Sequence, residues 1–458
     1  MNKVVKMFLQ AEQIDALFAA WDTPASPGCA LGVVQDGELV YAQGYGMANL
    51  ELGAPITTDS AFYLASVSKQ FTAMTMALLA EAGRIKLTDD VRTYVPEVPD
   101  YGTPITIEQM IRHTSGLRDY LDLGFMAGKR MEDVWTEADF LAQVSRQKAL
   151  NFAPGTRYLY SNTGYVLLSL IVKRVTGKSL GAFAQEQIFG PLGMMHTVFK
   201  EDHQQIIPHR VSGYAPAPNG DGFINEYHNL QVVGDGGLYS TVADLARWDA
   251  NFYANRLGQG SPALIDRMYS TASLSDGAPH TYAFGLDHAT YRGLPIIAHG
   301  GGLNGARTQM FRFPDQRCTI ICLANLTSFD PHAMIKRVAD LILVDHLGDA
   351  GDAPPADDAA PAPATIQLDA TALSAYTGAY FSPELDATYR LTANAGQLSL
   401  SFRGQESIPL QSTATDQFQD EGDRKLVFDR TADDAIAGFE LSNGRVWGIQ
   451  FEHTNMKV

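Results

Sequence analysis

The stretch Phe62–Gly83, FYLASVSKQFTAMTMALLAEAG, joins a short strand-like run to an apolar helix that stops at Gly83. Where the two meet stand Ser66 and Lys69, spaced S-x-x-K. Three residues apart on a helix, two side chains share a face with Cβ atoms about 5–6 Å apart, so the lysine amine reaches the serine hydroxyl. A serine hydroxyl is a weak nucleophile near neutral pH and needs an adjacent base. Lysine serves once burial or a neighbouring cation lowers its pKa. At the helix start the N–H of Ser66 has no intrahelical partner, which makes it a ready oxyanion donor. Chance supplies about one S-x-x-K in a chain of this length. A second one, Ser145–Lys148 (SRQK), lies in polar, mid-helix surroundings and reads as a solvated helix face.

Downstream, YLYSNTGYVLL places Tyr160, Ser161 and Asn162 just before an apolar helix that stops at Gly177. A phenolate near Lys69 would share the proton work, and Asn162 would hydrogen-bond a substrate amide. The plainer alternatives are a buried tyrosine and an asparagine helix cap. Later still, HGGGLNG (His299–Gly305) contains G-x-G-x-x-G, which needs a following helix to hold a pyrophosphate. The residues that follow, ARTQMFRFPD, are strand-like. A lipase-type oxyanion loop needs a G-x-S-x-G elbow between a strand and a helix, and the chain's one such pentapeptide, GKSLG (Gly177–Gly181), follows the stop of an apolar helix instead.

Taken together, Ser66-x-x-Lys69, Tyr160-x-Asn162 and His299-x-Gly301 resemble, in order and separation, the three motifs of the penicillin-recognising serine hydrolases. The match is to the class C β-lactamase-like branch, which also holds DD-carboxypeptidases, D-aminopeptidases and esterases. IRHTSGL (Ile111–Leu117), FAPGTRYLYSNTGY and GGLYSTVADLARW look like further landmarks, and the resemblance runs from about Gln13 to Leu347. It implies a two-lobed α/β (α+β) fold, an antiparallel sheet flanked by helices plus a helical lobe, with the cleft between. It implies that Ser66, Lys69 and Tyr160 are catalytic, and that Asn162, His299, Gly301 and Gly302 bind substrate. The third motif is then an edge strand, with Gly302 N–H joining Ser66 N–H in the oxyanion hole. Many β-lactamases carry lysine where this chain has His299, and neutral imidazole anchors a carboxylate less well than ammonium. Arg307 either replaces that charge or is an ordinary strand arginine. No metal or organic cofactor is implied. The resemblance favours a peptidase or amidase on D-residue peptides, with a promiscuous esterase or weak β-lactamase as the alternative. A non-catalytic binding or assembly protein is a further, poorer reading.

The rest of the chain fits around these motifs. The hairpin CALGVVQDGELVYAQGYG, turning at Asp36-Gly37, and the late strands TQMFRFP and CTIICLAN are expected to share one sheet. Thr106 with Gln109, and Thr241 with Asp244, stand at capping-box spacing. His113 reads as a structural histidine, and Asp119–Asn151 as a helical lid that sets substrate range. Residues 1–345 form the hydrolase domain, and the Asp/Ala/Pro-rich stretch 346–367 is a linker. Residues 368–458, with short alternating runs between turn residues, form a small antiparallel barrel. This tail resembles the lipocalin-like barrels appended to some members of the branch, where the barrel caps the cleft or mediates self-association into a homo-oligomer.

The formal charge of −17 and the lack of any basic run argue against nucleic acid as a partner and leave a small molecule or peptide. No window offers the roughly 20 apolar residues of a membrane span, and the amphipathic start has no signal-type apolar region. The expectation is a soluble protein, cytoplasmic as given, or periplasmic or secreted if a leader was removed. Cys29, Cys318 and Cys322 read as buried thiols. The last two are about 13 Å apart along one strand, too far to bond.

Overall fold

The computed structural model describes residues 3–349, 365–403 and 405–454, with side chains from residue 10 onward. Most of the expected linker, 350–364, lies outside the described residues.

The first and last strands of the body do form one sheet. Its six antiparallel strands run in the order Asp287–Tyr291, Leu294–Leu303, Ala306–Phe313, Cys318–Ala324, Cys29–Gln35 and Glu38–Tyr45. The central strands are apolar throughout because both faces are covered. Alternate residues serve two cores. Cys29, Leu31, Val33, Ile320 and Cys322 face the terminal helices Lys3–Phe18 and Pro331–Ile342. Ala30, Val34, Ile321 and Leu323 face the larger helical core around Phe71, Trp248 and the helix Asn162–Thr176. All three cysteines are buried and free.

Local signals set the helix ends. Thr106 and Gln109 make a reciprocal capping box, whereas Thr241 caps the helix Val242–Asn251 from one side only. Asp244, instead of answering it, accepts from Thr197, His196 N–H and Arg247. Gly177, at φ 73°, ends the helix Asn162–Thr176 in the left-handed conformation that glycine tolerates. Ser145 proves to be the last residue of the helix Glu137–Ser145 rather than a mid-helix one.

The tail is a closed barrel of eight strands, from Gly378–Ser382 to Val446–Thr454. Closure removes its sheet edges. Its interior is filled by Tyr380, Tyr389, Phe418, Phe428, Phe439 and Phe451. The segment expected to be a lid packs against both the body and the barrel. Its first helix, Tyr120–Met126, pushes Leu123 and Met126 into the barrel core, and Tyr389 Oη donates to Met126 O at 2.7 Å. Beside it Arg118 is buried against the barrel, donating to Glu384 Oε1 (2.6 Å), Gln147 and the carbonyls of Trp447 and Gly448. Two buried ions with their hydrogen bonds filled hold the body and the barrel together.

Candidate active site

Ser66 sits where the chain turns from the strand Phe62–Tyr63 into a 3-10 turn, Ala65–Ser68, that runs on into the helix Lys69–Glu81. Ala65 has φ 47°, a strained value for a residue with a Cβ, and the strain falls immediately before the nucleophile candidate. Val67 N–H bonds back to Leu64 O, so the Ser66 amide stands ahead of the first bond of the helix. Ser66 is half-buried, hence open to solvent.

Lys69 is wholly buried. Its Nζ donates to Ser66 Oγ at 3.2 Å, Asn162 Oδ1 at 2.8 Å and Asp235 O at 2.7 Å. Burial pushes its pKa down to about 7, the Asp235 and Asp119 carboxylates hold it up, and Arg445 lowers it. The Asp235 carbonyl is presented by a glycine-flanked segment. Gly234, at φ 116°, lies so close to the helix Asn162–Thr176 that a Cβ would stand 2.4 Å from Tyr165 O. The Asp235 carboxyl accepts from Tyr120 Oη at 3.2 Å and is pushed up to about 6, chiefly by burial, with Lys69 opposing.

Tyr160 and Asn162 arrive by way of a doubly capped helix start. Ser161, not Asn162, is the residue before the helix, and His113 Nδ1 accepts its N–H at 3.1 Å. Asp119 Oδ2 accepts the N–H of Asn162 at 2.7 Å. The Asn162 side chain is thereby left for Lys69. The Tyr160 ring packs on His113, with centroids 4.1 Å apart, and lies 4.8 Å from Lys69 Nζ. Its buried hydroxyl has no hydrogen-bond partner among the described residues. Burial drives its pKa well above the ordinary range, and the Ser66 hydroxyl pulls the other way. Tyr160 is therefore a neutral phenol at rest, not a phenolate.

The strand Leu294–Leu303 has an uncovered edge. The strand Asp287–Tyr291 pairs with Leu294–Ala298 only, so among the described residues no strand lies against that side of His299–Leu303. Gly301 faces Ser66. A Cβ there would stand 2.4 Å from Leu64 O and Thr308 Oγ1 and 3.0 Å from Ser66 N. Gly302 follows it on the free edge and is exposed. His299 is spent on local bonds, with Nε2 2.8 Å from Tyr282 Oη and Nδ1 2.6 Å from Gly300 O. Burial and Lys69 hold its pKa down at about 4, so its ring is neutral. Arg307 pairs across from Gly302, and its side chain folds over that glycine. Side chains alternate between faces, so it lies on the face opposite the one that Gly301 turns to Ser66. It is not among the groups gathered around Ser66 Oγ.

Arg445, a residue that sequence reasoning passed over, does approach them. It lies in the hairpin between the last two barrel strands, bonds to Asp122 and to Asp119 (3.2 Å), and stands 6.0 Å from the Tyr160 ring. No local pattern marks it, since its relation to the cleft exists only because the barrel is docked. Among the described residues no group of three or more His, Cys, Asp or Glu side chains converges as metal ligands do. None of the described helices is long and apolar enough to cross a membrane.

The Beta-lactamase family profile matches residues 14–344. The chain is 31% identical to a D-aminopeptidase of Cereibacter sphaeroides over 68% of its own length and 60% of that protein's. It thus spans about 60% of the D-aminopeptidase's length. Penicillin-binding protein 4* of Bacillus subtilis is 30% identical over 84% of this chain and 86% of that one. Among solved structures, the octameric penicillin-binding protein homologue from Pyrococcus abyssi superposes with a TM-score of 0.65, at 21% identity, over 96% of this chain and 99% of the other. The chain belongs to the Beta-lactamase family.

Proposed function

We propose that the protein is a peptidase or amidase that acts on peptides containing D-residues, through an acyl-enzyme on Ser66. One observation carries the mechanism: a buried amine lies 3.2 Å from a half-exposed serine hydroxyl, with its pKa pushed down to about 7. About half of such an amine is free base at neutral pH, against a few ten-thousandths at the ordinary lysine value. In the neutral amine Asn162 Oδ1 and Asp235 O take both N–H groups, which aims the lone pair at Ser66 Oγ.

Ser66 Oγ attacks the carbonyl carbon as its proton passes to Lys69 Nζ. The Ser66 and Gly302 amides receive the oxyanion. When the tetrahedral intermediate collapses, the C–N bond breaks and Tyr160 gives its phenolic proton to the leaving amine, to be reprotonated from Lys69. Water then cleaves the ester. The D-residue preference is supported by the D-aminopeptidase relatives. The neutral, fully engaged His299 supports peptidase over β-lactamase action, because it supplies no cation for a β-lactam carboxylate. Self-association is proposed on weaker ground, the octameric state of the Pyrococcus homologue, and light scattering tests it.

Profiling purified protein on D- and L-aminoacyl p-nitroanilides, short-chain esters and a chromogenic cephalosporin tests the substrate class. Turnover confined to esters or cephalosporins sinks the peptidase reading. Ser66→Ala should abolish both hydrolysis and labelling by a covalent serine probe, with an unchanged circular dichroism spectrum.

A further inference from the structure

Past the Leu303 end of the cleft strand lies a cavity of about 270 Å³ whose walls include Tyr63, Lys200, Arg210, His228, Tyr239 and the turn residue Asn304. Ser66 is not part of it, but the two are structurally joined. Tyr63 is three residues before Ser66, and its hydroxyl accepts from Gly237 N–H. Asn304 is three residues past Gly301, the glycine packed on the Ser66 amide.

Lys200 is 5% exposed, yet among the described residues its ammonium has no hydrogen bond and no ion pair. Its aliphatic stem is buried while its Nζ opens onto the cavity. Its backbone is fixed, N–H to Gly237 O at 2.8 Å, so the side chain is delivered to one place. Arg210, an exposed residue at the cavity mouth, is the second cation, and its backbone bridges to Ala61. The two act on the same neighbours: both depress His228, and Arg210 depresses Lys200, where burial is the leading cause and only Asp202 opposes. Two carboxylates also line the cavity, each accepting from an amide of the same wall, Glu226 from Asn304 Nδ2 and Glu51 from Asn225 Nδ2. Neither figures among the charges that act on Lys200.

The strand edge gives the cavity a direction. Tyr160, the proposed proton donor to the leaving group, lies near the His299 end, with ring centroids 6.3 Å apart. The cavity lies past the Leu303 end. A substrate stretched along this edge therefore leaves its departing amine at Tyr160 and extends its acyl part toward Lys200. We infer that Lys200 and Arg210 form an anion-binding subsite for a carboxylate carried by the acyl portion of the substrate, upstream of the scissile carbonyl. Three residues of extended chain separate Gly301 from Asn304, so that carboxylate stands about 10 Å from the reacting carbon. The inference rests on the acyl-enzyme reading above and specifies its substrate class.

The test compares N-acetyl-D-alanine p-nitroanilide with the same anilide carrying an N-(5-carboxypentanoyl) group. Wild type should favour the carboxylated substrate at least tenfold in kcat/KM. That ratio should fall to about one in Lys200→Met and recover in Lys200→Arg. Equal kcat/KM for the two in wild type overturns the subsite while the acyl-enzyme reading stands. If neither anilide is turned over, binding decides: Ser66→Ala protein should bind N-(5-carboxypentanoyl)-D-alanine at least tenfold more tightly than N-acetyl-D-alanine by calorimetry. Equal affinity, or a preference that survives Lys200→Met, overturns the proposal.

Discussion

Asp235→Asn should move the acidic limb of kcat/KM to lower pH. Lys69 is pushed to about 7 by burial, and Asp235 is the first charge holding it up. Asparagine keeps the shape, the contact to Tyr120 and the backbone carbonyl that accepts from Lys69, and removes only the charge. An opposite charge within a few ångströms is worth about 1–3 pH units. Taking the smallest value, the limb moves from about 7 to about 6. At pH 6 the neutral fraction of Lys69 then rises from about one-tenth to about one-half wherever Asp235 was ionised, a gain of at most about fivefold in kcat/KM, with no gain above about pH 8.5. Because Asp235 itself titrates near 6, the wild-type limb belongs to the pair.

The same substitution makes a statement about stability. Folding raises the carboxyl from 3.8 to about 6, so the native state binds that proton more tightly than the unfolded chain. The ionised group therefore costs the fold nothing below about pH 4, increasingly more from there to 6, and its full amount, up to about 3 kcal/mol, above that. The asparagine variant should melt at or above the wild-type temperature at pH 8, with the difference gone below pH 4. The assay is kcat/KM from pH 5 to 9 at fixed ionic strength on an activated D-aminoacyl substrate, beside melting curves. An unmoved limb, or one displaced upward, would refute the claim that Asp235 sets the basicity of Lys69.

Arg445→Met should displace the limb the opposite way, to higher pH, since Arg445 lowers the Lys69 pKa; a fall in activity by one factor at every pH would count against that. Gly301→Ala forces a Cβ to within 3.0 Å of Ser66 N and 2.4 Å of Leu64 O. It should cut kcat by about 10²–10³, as loss of an oxyanion donor does, with the spectrum of a folded protein. Arg118→Met leaves the Glu384 charge buried and unpaired and should cost about 3–5 kcal/mol, a melting drop of about 3–5 °C for a chain of this size. The double variant Arg118→Met/Glu384→Leu should recover part of that loss.

Sequence alone determined what is written in short range. The S-x-x-K spacing dictates that Ser66 and Lys69 share a helix face, because a helix brings residues three apart together whatever surrounds it. Alternation in the tail and a turn residue between each pair of runs dictate strands. Gly177, Thr106 and Gln109 mark helix ends through bonds to their own neighbours. Tertiary structure decided whatever depends on distant chain meeting in space. Whether Asn162 caps its helix or faces Lys69 turned on Asp119 and His113 taking the helix's first amides. Whether Arg307 or Arg445 stands by the cleft turned on strand register and on the docking of a barrel through Leu123, Met126 and Arg118. Within Asp119–Asn151, Leu123 and Met126 went to the barrel core and Tyr120, Trp135 and Phe140 to the body's, a division set by which core lies opposite each residue. Basicity at Lys69 is likewise a property of its burial and of carboxylates from two other segments, which no local pattern in the sequence encodes.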